Sequence, residues 1–536
     1  MHGSAGSAIE EQRIGGDWVR LHPRDNCVVT IKACPAGARL RLGPETEVAV
    51  PQVVPPGHKI ASVTIESGEP VVKYGWPIGV ATQTIRAGEW VHSHNLRNDH
   101  HIDLTAWQAE ASGSAASRTE GALRFAGYRR PGGSVGTRNY VAVISTVNCS
   151  ASVARWSAAR FDSAKLSGFP NVDGVIALRH ESGCGMAYEG SKHRMLERTL
   201  AGIADHPNVG GAILVGLGCE QATVDHLRHH PQLISIAPPA ARSGSLQPSA
   251  DDPLPMITVQ AAGGSAAAVA QIEAAIDRLL PQMNAARRED VDVSNLVLGL
   301  KCGGSDGYSG ITANPVLGLV SDRIVAAGGT TILGETTEVF GAEHLLARRA
   351  ASPQVAELLQ EKLQWWMWYA GLFGEQFDHN PSTGNKAGGL TTIAEKSLGA
   401  VSKAGSAPLA AVVDYAAPVP RGGLVLMDSP GYDPACVTGM MASGATVIAF
   451  TTGRGSCFGS KPAPTIKITT NSRLYRAMSE DMDFDCGGVL AGEPIGEVAD
   501  ALLAEILEVA SGKKTKSEQL GYGDDEFIPW TVGPML

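Results

Sequence analysis

No apolar run in this chain reaches the about 18 residues that a membrane-spanning helix needs. The first twenty residues carry acids and lack an apolar stretch, so no secretory leader is expected; the reading is a soluble, cytoplasmic protein without a membrane partner. Basic excess is missing too. A net charge of −10 argues against nucleic acid, which wants a basic face, while leaving room for a local basic pocket that binds a small anion. The nine cysteines show no short disulfide-like spacing, so in a large intracellular enzyme they read as ligands or catalysts rather than bridges. There is no Gly-x-Gly-x-x-Gly between strand and helix, no phosphate loop ending in Gly-Lys-Ser/Thr, and no Gly-x-Ser-x-Gly elbow. Nucleotide binding and triad hydrolysis lose their anchors.

What the chain has is length and glycine. Its 536 residues exceed one hydrophobic core and imply several domains, and many of its 63 glycines fall where strands end. Residues 1–16 read as frayed. Short β-runs at 28–31, 48–54, 59–65, 71–74 and 78–84, broken by glycine and proline, predict a small all-β domain over 1–106. In its last turn His92 and His94 stand two apart, which on a strand puts both imidazoles on one face, able to share a cation. Small polar residues over 107–122 read as a linker.

Beyond it, strands alternate with helices, the grammar of a parallel, doubly wound sheet, first over 123–290 as a Rossmann-like α/β domain. Three β-runs there end in polar loops carrying Cys149, Cys184 and Cys219, and a fourth, at 256–259, leads into a helix over 266–280. A second parallel α/β unit spans 291–536. Helices are expected at 316–327, 342–351 and 353–370, the last with Ser352 as cap and Pro353 in the first position. Trp365, Trp366, Trp368 and Tyr369 read as core or as the interface of a homo-oligomer.

The richest stretch is 301–315, Lys-Cys-Gly-Gly-Ser-Asp-Gly-Tyr-Ser-Gly-Ile-Thr-Ala-Asn-Pro, a polar glycine loop between a strand and a helix. In parallel sheets such loops let backbone N–H groups and a helix N-terminus approach an anion. With Cys302, the cysteines of the preceding unit could converge beyond one edge of the structure as metal ligands or reactive thiols. The mixture of amide, hydroxyl, carboxylate, thiol, imidazole and ammonium groups suits a small, polyhydroxylated anion.

Several segments resemble the altronate/galactarate dehydratase family: Tyr74-Gly-Trp-Pro-Ile-Gly, Val91-His-Ser-His-Asn, Val135-Gly-Thr-Arg-Asn, His180-Glu-Ser-Gly-Cys-Gly, Gly216-Leu-Gly-Cys-Glu, the 302–315 run, Asn380-Pro-Ser-Thr-Gly-Asn-Lys and Phe450-Thr-Thr-Gly-Arg-Gly. The resemblance implies an N-terminal β-clip (SAF-type) domain before the α/β part, and iron(II)-dependent loss of water from a hexonate or hexarate to give a 2-keto-3-deoxy acid. The His-x-His-Asn turn is similar to the altronate branch; galactarate dehydratase and sulfolactate sulfo-lyase are the enzymatic alternatives, and a metabolite-binding or redox-sensing protein that has kept the fold is the non-enzymatic one. For that chemistry, His180 or Lys386 is expected as base and Glu338 as general acid. Lys301 and Arg454 are expected to anchor the carboxylate, with Ser305, Asp306, Asn314, Asn385 and Glu338 toward the substrate. Iron would fall to His92 and His94, or Cys149, Cys184, Cys219 and Cys302 would hold an iron–sulfur cluster; another divalent cation is the remaining alternative.

Overall fold

The computed structural model describes residues 13–42, 46–100, 123–222, 227 and 254–532. The expected linker at 107–122 lies outside them. Part of the stretch expected to be frayed is ordered, since Arg13–Gly15 pairs antiparallel with Trp18–Arg20. The N-terminal SAF domain is built from antiparallel strands, with Cys27–Thr30 and Lys59–Ala61 at the centre of one sheet and Trp76–Ala81 at the centre of a second. Val28, Val50, Val54 and Ile60 form its core.

Two parallel sheets follow. The smaller has the strand order Gly174–Leu178, Tyr140–Ser145, Val209–Gly216, Met256–Thr258, all pairs parallel. The larger orders seven parallel strands as Leu409–Val413, Gly423–Met427, Thr330–Leu333, Val297–Cys302, Val447–Thr452, Thr465–Thr469, Phe484–Asp485. Its strands are apolar on both faces because both are covered. Alternate residues Leu298, Leu300, Val447 and Ala449 pack on the helices Ala313–Ala326 and Ile495–Ala510. Their neighbours Ile448 and Phe450 point the other way, into a core shared with the smaller sheet.

Two helices fill that shared layer, Ser191–Ala204 and Asp433–Ala442. They touch backbone to backbone at their C-terminal ends, where a methyl group on Gly202 would meet Ala442 O at 2.2 Å. Just beyond both helices, His206 Nε2 donates to Ala445 O at 2.9 Å, and Thr137 Oγ1 donates to Thr446 O at 2.8 Å. The amino edges of the two sheets are thus joined. Their carboxyl edges, with the loops that carry chemistry, open on the same side of the molecule. A cavity of about 120 Å³ lies at the joined amino edges, lined by Val135, Thr330, Arg421 and Thr446, away from those loops.

Ser352 caps the helix Pro353–Gly371 through Val355 N, with proline at its start. In the aromatic cluster, Trp366 is buried and stacks on Trp530, whereas Trp368, Leu372 and Phe373 are exposed. No helix among the described residues is long and apolar enough to cross a membrane.

The SAF domain is fixed to the larger sheet by charge. Lys59 Nζ and Lys73 Nζ each donate to Glu395 at 2.8–2.9 Å, all three side chains being shut off from solvent. Burial alone would raise the Glu395 carboxyl, but the two ammonium groups override it and hold the group far below the usual carboxylate range. Breaking one partner of a buried ion group leaves uncompensated charge, at a cost of about 3–5 kcal/mol. Glu395→Gln should therefore lower the thermal transition by several degrees and open the SAF domain to limited proteolysis. Glu289→Gln, which removes an exposed partner of Arg129, should change neither.

Candidate active site

The strand Val297–Cys302 ends in a buried ion lattice. Period-two alternation turns Lys301 away from the Leu298 and Leu300 face, and its ammonium is fully buried. It bonds to Glu335, to Asp433 Oδ1 at 2.8 Å, and to the carbonyl oxygens of Cys302 and Gly431 at 3.1 and 3.0 Å. Glu335 follows the neighbouring strand Thr330–Leu333 at φ 63°, a left-handed conformation that costs a non-glycine residue energy. Its other oxygen accepts from Lys403 Nζ at 2.7 Å, so this carboxylate sits between two ammonium groups. Lys403 also donates to Cys302 Sγ at 2.8 Å. One turn on, Glu338 Oε1 accepts from Lys396 at 2.6 Å and from Asn380 Nδ2 at 3.0 Å. Three ammonium groups face three carboxylates, Glu335, Glu338 and Asp433.

Beside the lattice lies a more open rim. Asp306 sits at the far end of the glycine turn, its Oδ1 accepting from Tyr308 N at 3.1 Å and Ser309 Oγ at 3.2 Å, its Oδ2 from Thr470 Oγ1 at 3.1 Å. Burial outweighs those bonds and pushes its carboxyl up to about 6. Two neighbouring glycines are required by this packing. A side chain on Gly453 would run into the Asp306 carboxyl at 2.1–2.6 Å, and one on Gly388 would meet Asp306 Cβ at 3.0 Å and Arg454 Cδ at 3.2 Å. Arg454 is exposed and Lys386 half-buried; among the described residues neither side chain has a hydrogen bond or ion pair, although the Lys386 charge is felt by Asp378. The rim thus offers one near-neutral carboxyl with the uncommitted Arg454 beside it, and a second uncommitted cation, Lys386, on the turn Thr383–Ala387 that runs into Gly388.

The expected loop at 380–389 is in part a helical turn, Thr383–Ala387, held by a reciprocal cap between Ser382 and Asn385. The SAF domain grips this turn from outside. His92 Nε2 donates to Lys386 O at 2.9 Å, His58 Nε2 donates to Ala387 O at 3.3 Å, and the two rings stack at 5.2 Å. Burial pushes His58 down to about 4 and lowers His92.

Family models match the chain in three consecutive pieces: the altronate/galactarate dehydratase SAF domain at 16–99, the second domain of D-galactarate dehydratase/altronate hydrolase at 127–284, and the C-terminal domain of D-galactarate/altronate dehydratase at 293–535. Altronate dehydratase from Bacillus subtilis (strain 168) is 34% identical over 94% of this chain and 96% of its own length. The chain belongs to the D-galactarate/altronate dehydratase family. Its Escherichia coli (strain K12) relatives include an altronate dehydratase, 35% identical over 94% of this chain and 97% of that protein, and a galactarate dehydratase (L-threo-forming), 34% identical over 94% and 95%.

Within this dehydratase fold several expected substrate contacts are already committed. Lys301, expected to anchor a carboxylate, has its three N–H groups occupied by protein acceptors and is an internal counter-ion. Asn314 bridges Gly399 O at 2.8 Å and Thr451 Oγ1 at 2.6 Å. Asn385 caps its helical turn and donates to the carbonyl of buried Ser305 at 2.8 Å. His180, expected as a base, is buried with Nε2 on Ser145 O at 2.9 Å and Nδ1 accepting from Ser182 N at 3.1 Å, and burial pushes it down to about 4. It has no free lone pair to offer. Glu335, Asp433, Thr470 and His58 were not singled out as site residues, because their roles depend on pairings across the sequence.

For a metal, Cys302, Glu335 and Glu338 are the one group among the described residues whose ligand atoms lie within 4.8 Å of one another. Its chemistry does not fit a cation. Lys301, Lys396 and Lys403 already neutralise the carboxylates, and burial with the Glu335 charge pushes the Cys302 thiol up to about 11, so it stays protonated. The histidine pair does not fit either: His92 and His94 lie in a turn rather than on a strand, with His92 turned onto Lys386 and His94 exposed.

The lattice makes the fold acid-sensitive in a defined window. Burial opposes ionisation of Glu335, but Lys301 and Lys403 hold its carboxyl down to about 2, below the about 4.3 expected in the unfolded chain. Its stabilisation is therefore full above about pH 5 and is lost as pH falls toward about 2. In thermal melts across pH, Glu335→Gln should lie below the parent by a constant amount near neutrality, with the gap closing in acid. A gap independent of pH would contradict the ion-pair account.

Proposed function

We propose that this hydro-lyase removes water from a hexonate, D-altronate, giving a 2-keto-3-deoxy acid, with Asp306 as the general base. The observation that carries the reading is the rim itself, a buried carboxyl near neutral pKa with the uncommitted Arg454 beside it and the uncommitted Lys386 on the turn that runs into Gly388, which packs on Asp306. One cationic pair suits one carboxylate, which favours a hexonate over a hexarate. The altronate and galactarate dehydratases, matched alike over nearly their whole length, support the loss of water from a sugar acid; the choice of a hexonate rests on the rim.

The chemistry follows from charge. Arg454 and Lys386 hold the substrate carboxylate. Asp306 takes the proton from the adjacent carbon, C2, and the second negative charge that develops on the carboxylate falls between the same two cations. The C2–C3 double bond forms as the C3 hydroxyl leaves with a proton from the Glu338–Lys396 pair. The enol then tautomerises to the keto acid. His92 and His58 act by positioning, since their bonds to the carbonyl oxygens of Lys386 and Ala387 fix the turn that carries the anchor.

Incubation with a panel of hexonates and hexarates, with product trapped by semicarbazide, should give keto acid from altronate most rapidly. Asp306→Asn should lower kcat by about 100-fold or more with little change in KM, whereas Lys386→Met and Arg454→Met should mainly raise KM. The kcat/KM profile should fall as pH drops below about 6, where Asp306 takes up its proton. A normal kcat in Asp306→Asn would remove the base assignment.

A further inference from the structure

The smaller parallel sheet carries an arrangement that the acid–base rim does not use. Cys184, Cys149 and Cys219 follow three adjacent strands, Gly174–Leu178, Tyr140–Ser145 and Val209–Gly216, at their carboxyl ends. All three thiols are exposed, whereas Cys27, Cys34, Cys302, Cys436 and Cys486 are buried. Buried cysteines behave as small hydrophobes, but exposed thiols on three neighbouring strand ends do not pack a core.

The three loops are built as one unit. Asn148 N donates to Ser182 O at 2.9 Å, and Gln221 N donates to Gly183 O at 3.0 Å. His180 Nε2 reaches back to Ser145 O, tying the Cys184 loop to the strand that leads to Cys149. Buried Glu220 ties the third loop in, accepting from Thr146 Oγ1 at 3.1 Å and Gly218 N at 2.6 Å. Gly183 and Gly185, at φ 106° and 64°, flank Cys184, and a side chain on Gly183 would meet Thr146 O at 2.4 Å, so this loop packs directly on the end of the Tyr140–Ser145 strand. In the same loop Ser182 Oγ is buried without a hydrogen-bond partner, a donor that the protein itself does not satisfy.

We infer that Cys149, Cys184 and Cys219 hold an iron–sulfur cluster through three thiolates, leaving one iron without a protein ligand. Size separates this from a single ion. Thiolates around one tetrahedral ion stand roughly 4 Å apart, and the three thiols form no such group within 4.8 Å. Three neighbouring strand ends span roughly 10 Å, the scale of a cluster. Cys302 is excluded as a fourth ligand, being sealed in the larger sheet against Lys403. The two sheets open their carboxyl edges to the same side, so the cluster loops and the rim lie on one side of the molecule, the side of the N-termini of Ser191–Ala204 and Asp433–Ala442. A bound cluster would supply Lewis acidity, and dehydration moves no electrons, so no redox partner is needed. That role rests on the proposed dehydratase reading; the site itself does not.

The test is iron and acid-labile sulfide in full-length protein purified without oxygen and reconstituted with ferrous iron and sulfide. About four of each per chain are expected, with a visible absorption band. Cys149→Ser, Cys184→Ser and Cys219→Ser should each lose the band, while Cys302→Ser and Cys457→Ser should keep it. Should a serine variant misfold, alkylation of the reconstituted parent decides the matter: Cys149, Cys184 and Cys219 should be protected, and exposed Cys457 modified. Iron without sulfide, no iron after reconstitution, or free alkylation of the three thiols overturns the proposal. Cluster-loaded protein that makes no keto acid from any sugar acid supports the cluster and refutes the dehydratase reading.

Discussion

A carboxylate removed from water must be matched by fixed positive charge, and this constraint organises the molecule. Glu395 and Glu335 are both fully buried, and each lies between two lysines. The first group fastens the SAF domain to the larger sheet; the second locks the ends of two neighbouring strands. Neither is an efficient way to gain stability, since apolar side chains of equal volume often serve as well. What such groups provide is geometry. A lysine that loses its carboxylate is penalised heavily, so the partners hold their places and the loops between them are confined.

That confinement accounts for the division of labour at the carboxyl edge. Lys301 and Glu335 are spent on each other and cannot also hold a ligand. Arg454 and Lys386 stay uncommitted at the rim, Arg454 packed beside Gly388 and the protonatable Asp306, Lys386 within reach of the Asp378 charge. The SAF domain adds no acid or base of its own there. Its contribution is two imidazole donors that hold the backbone beneath Lys386.

Much of this was legible in the sequence. Strand–helix alternation carries the parallel sheets, Ser352 and Pro353 announce their helix, and glycine-rich polar segments mark the carboxyl edge. Less legible was which polar side chain faces a ligand and which faces the protein. Asn385 caps a helical turn where a loop was expected, and His180 uses both nitrogens on backbone; a residue type cannot reveal that. Lys59 and Glu395 are 336 residues apart, and only folding makes them partners. The cysteines show the same limit, because Cys302 looks like the other three in local sequence but ends a strand in a different sheet, buried against Lys403.

The central claim is that one rim holds both the carboxylate anchors and the base. A crystal structure of Asp306→Asn with D-altronate bound tests it most directly. The account predicts the substrate carboxylate between Arg454 and Lys386, with C2 roughly 3 Å from the side chain at 306. A carboxylate bound elsewhere, with C2 turned away from that side chain, would contradict it.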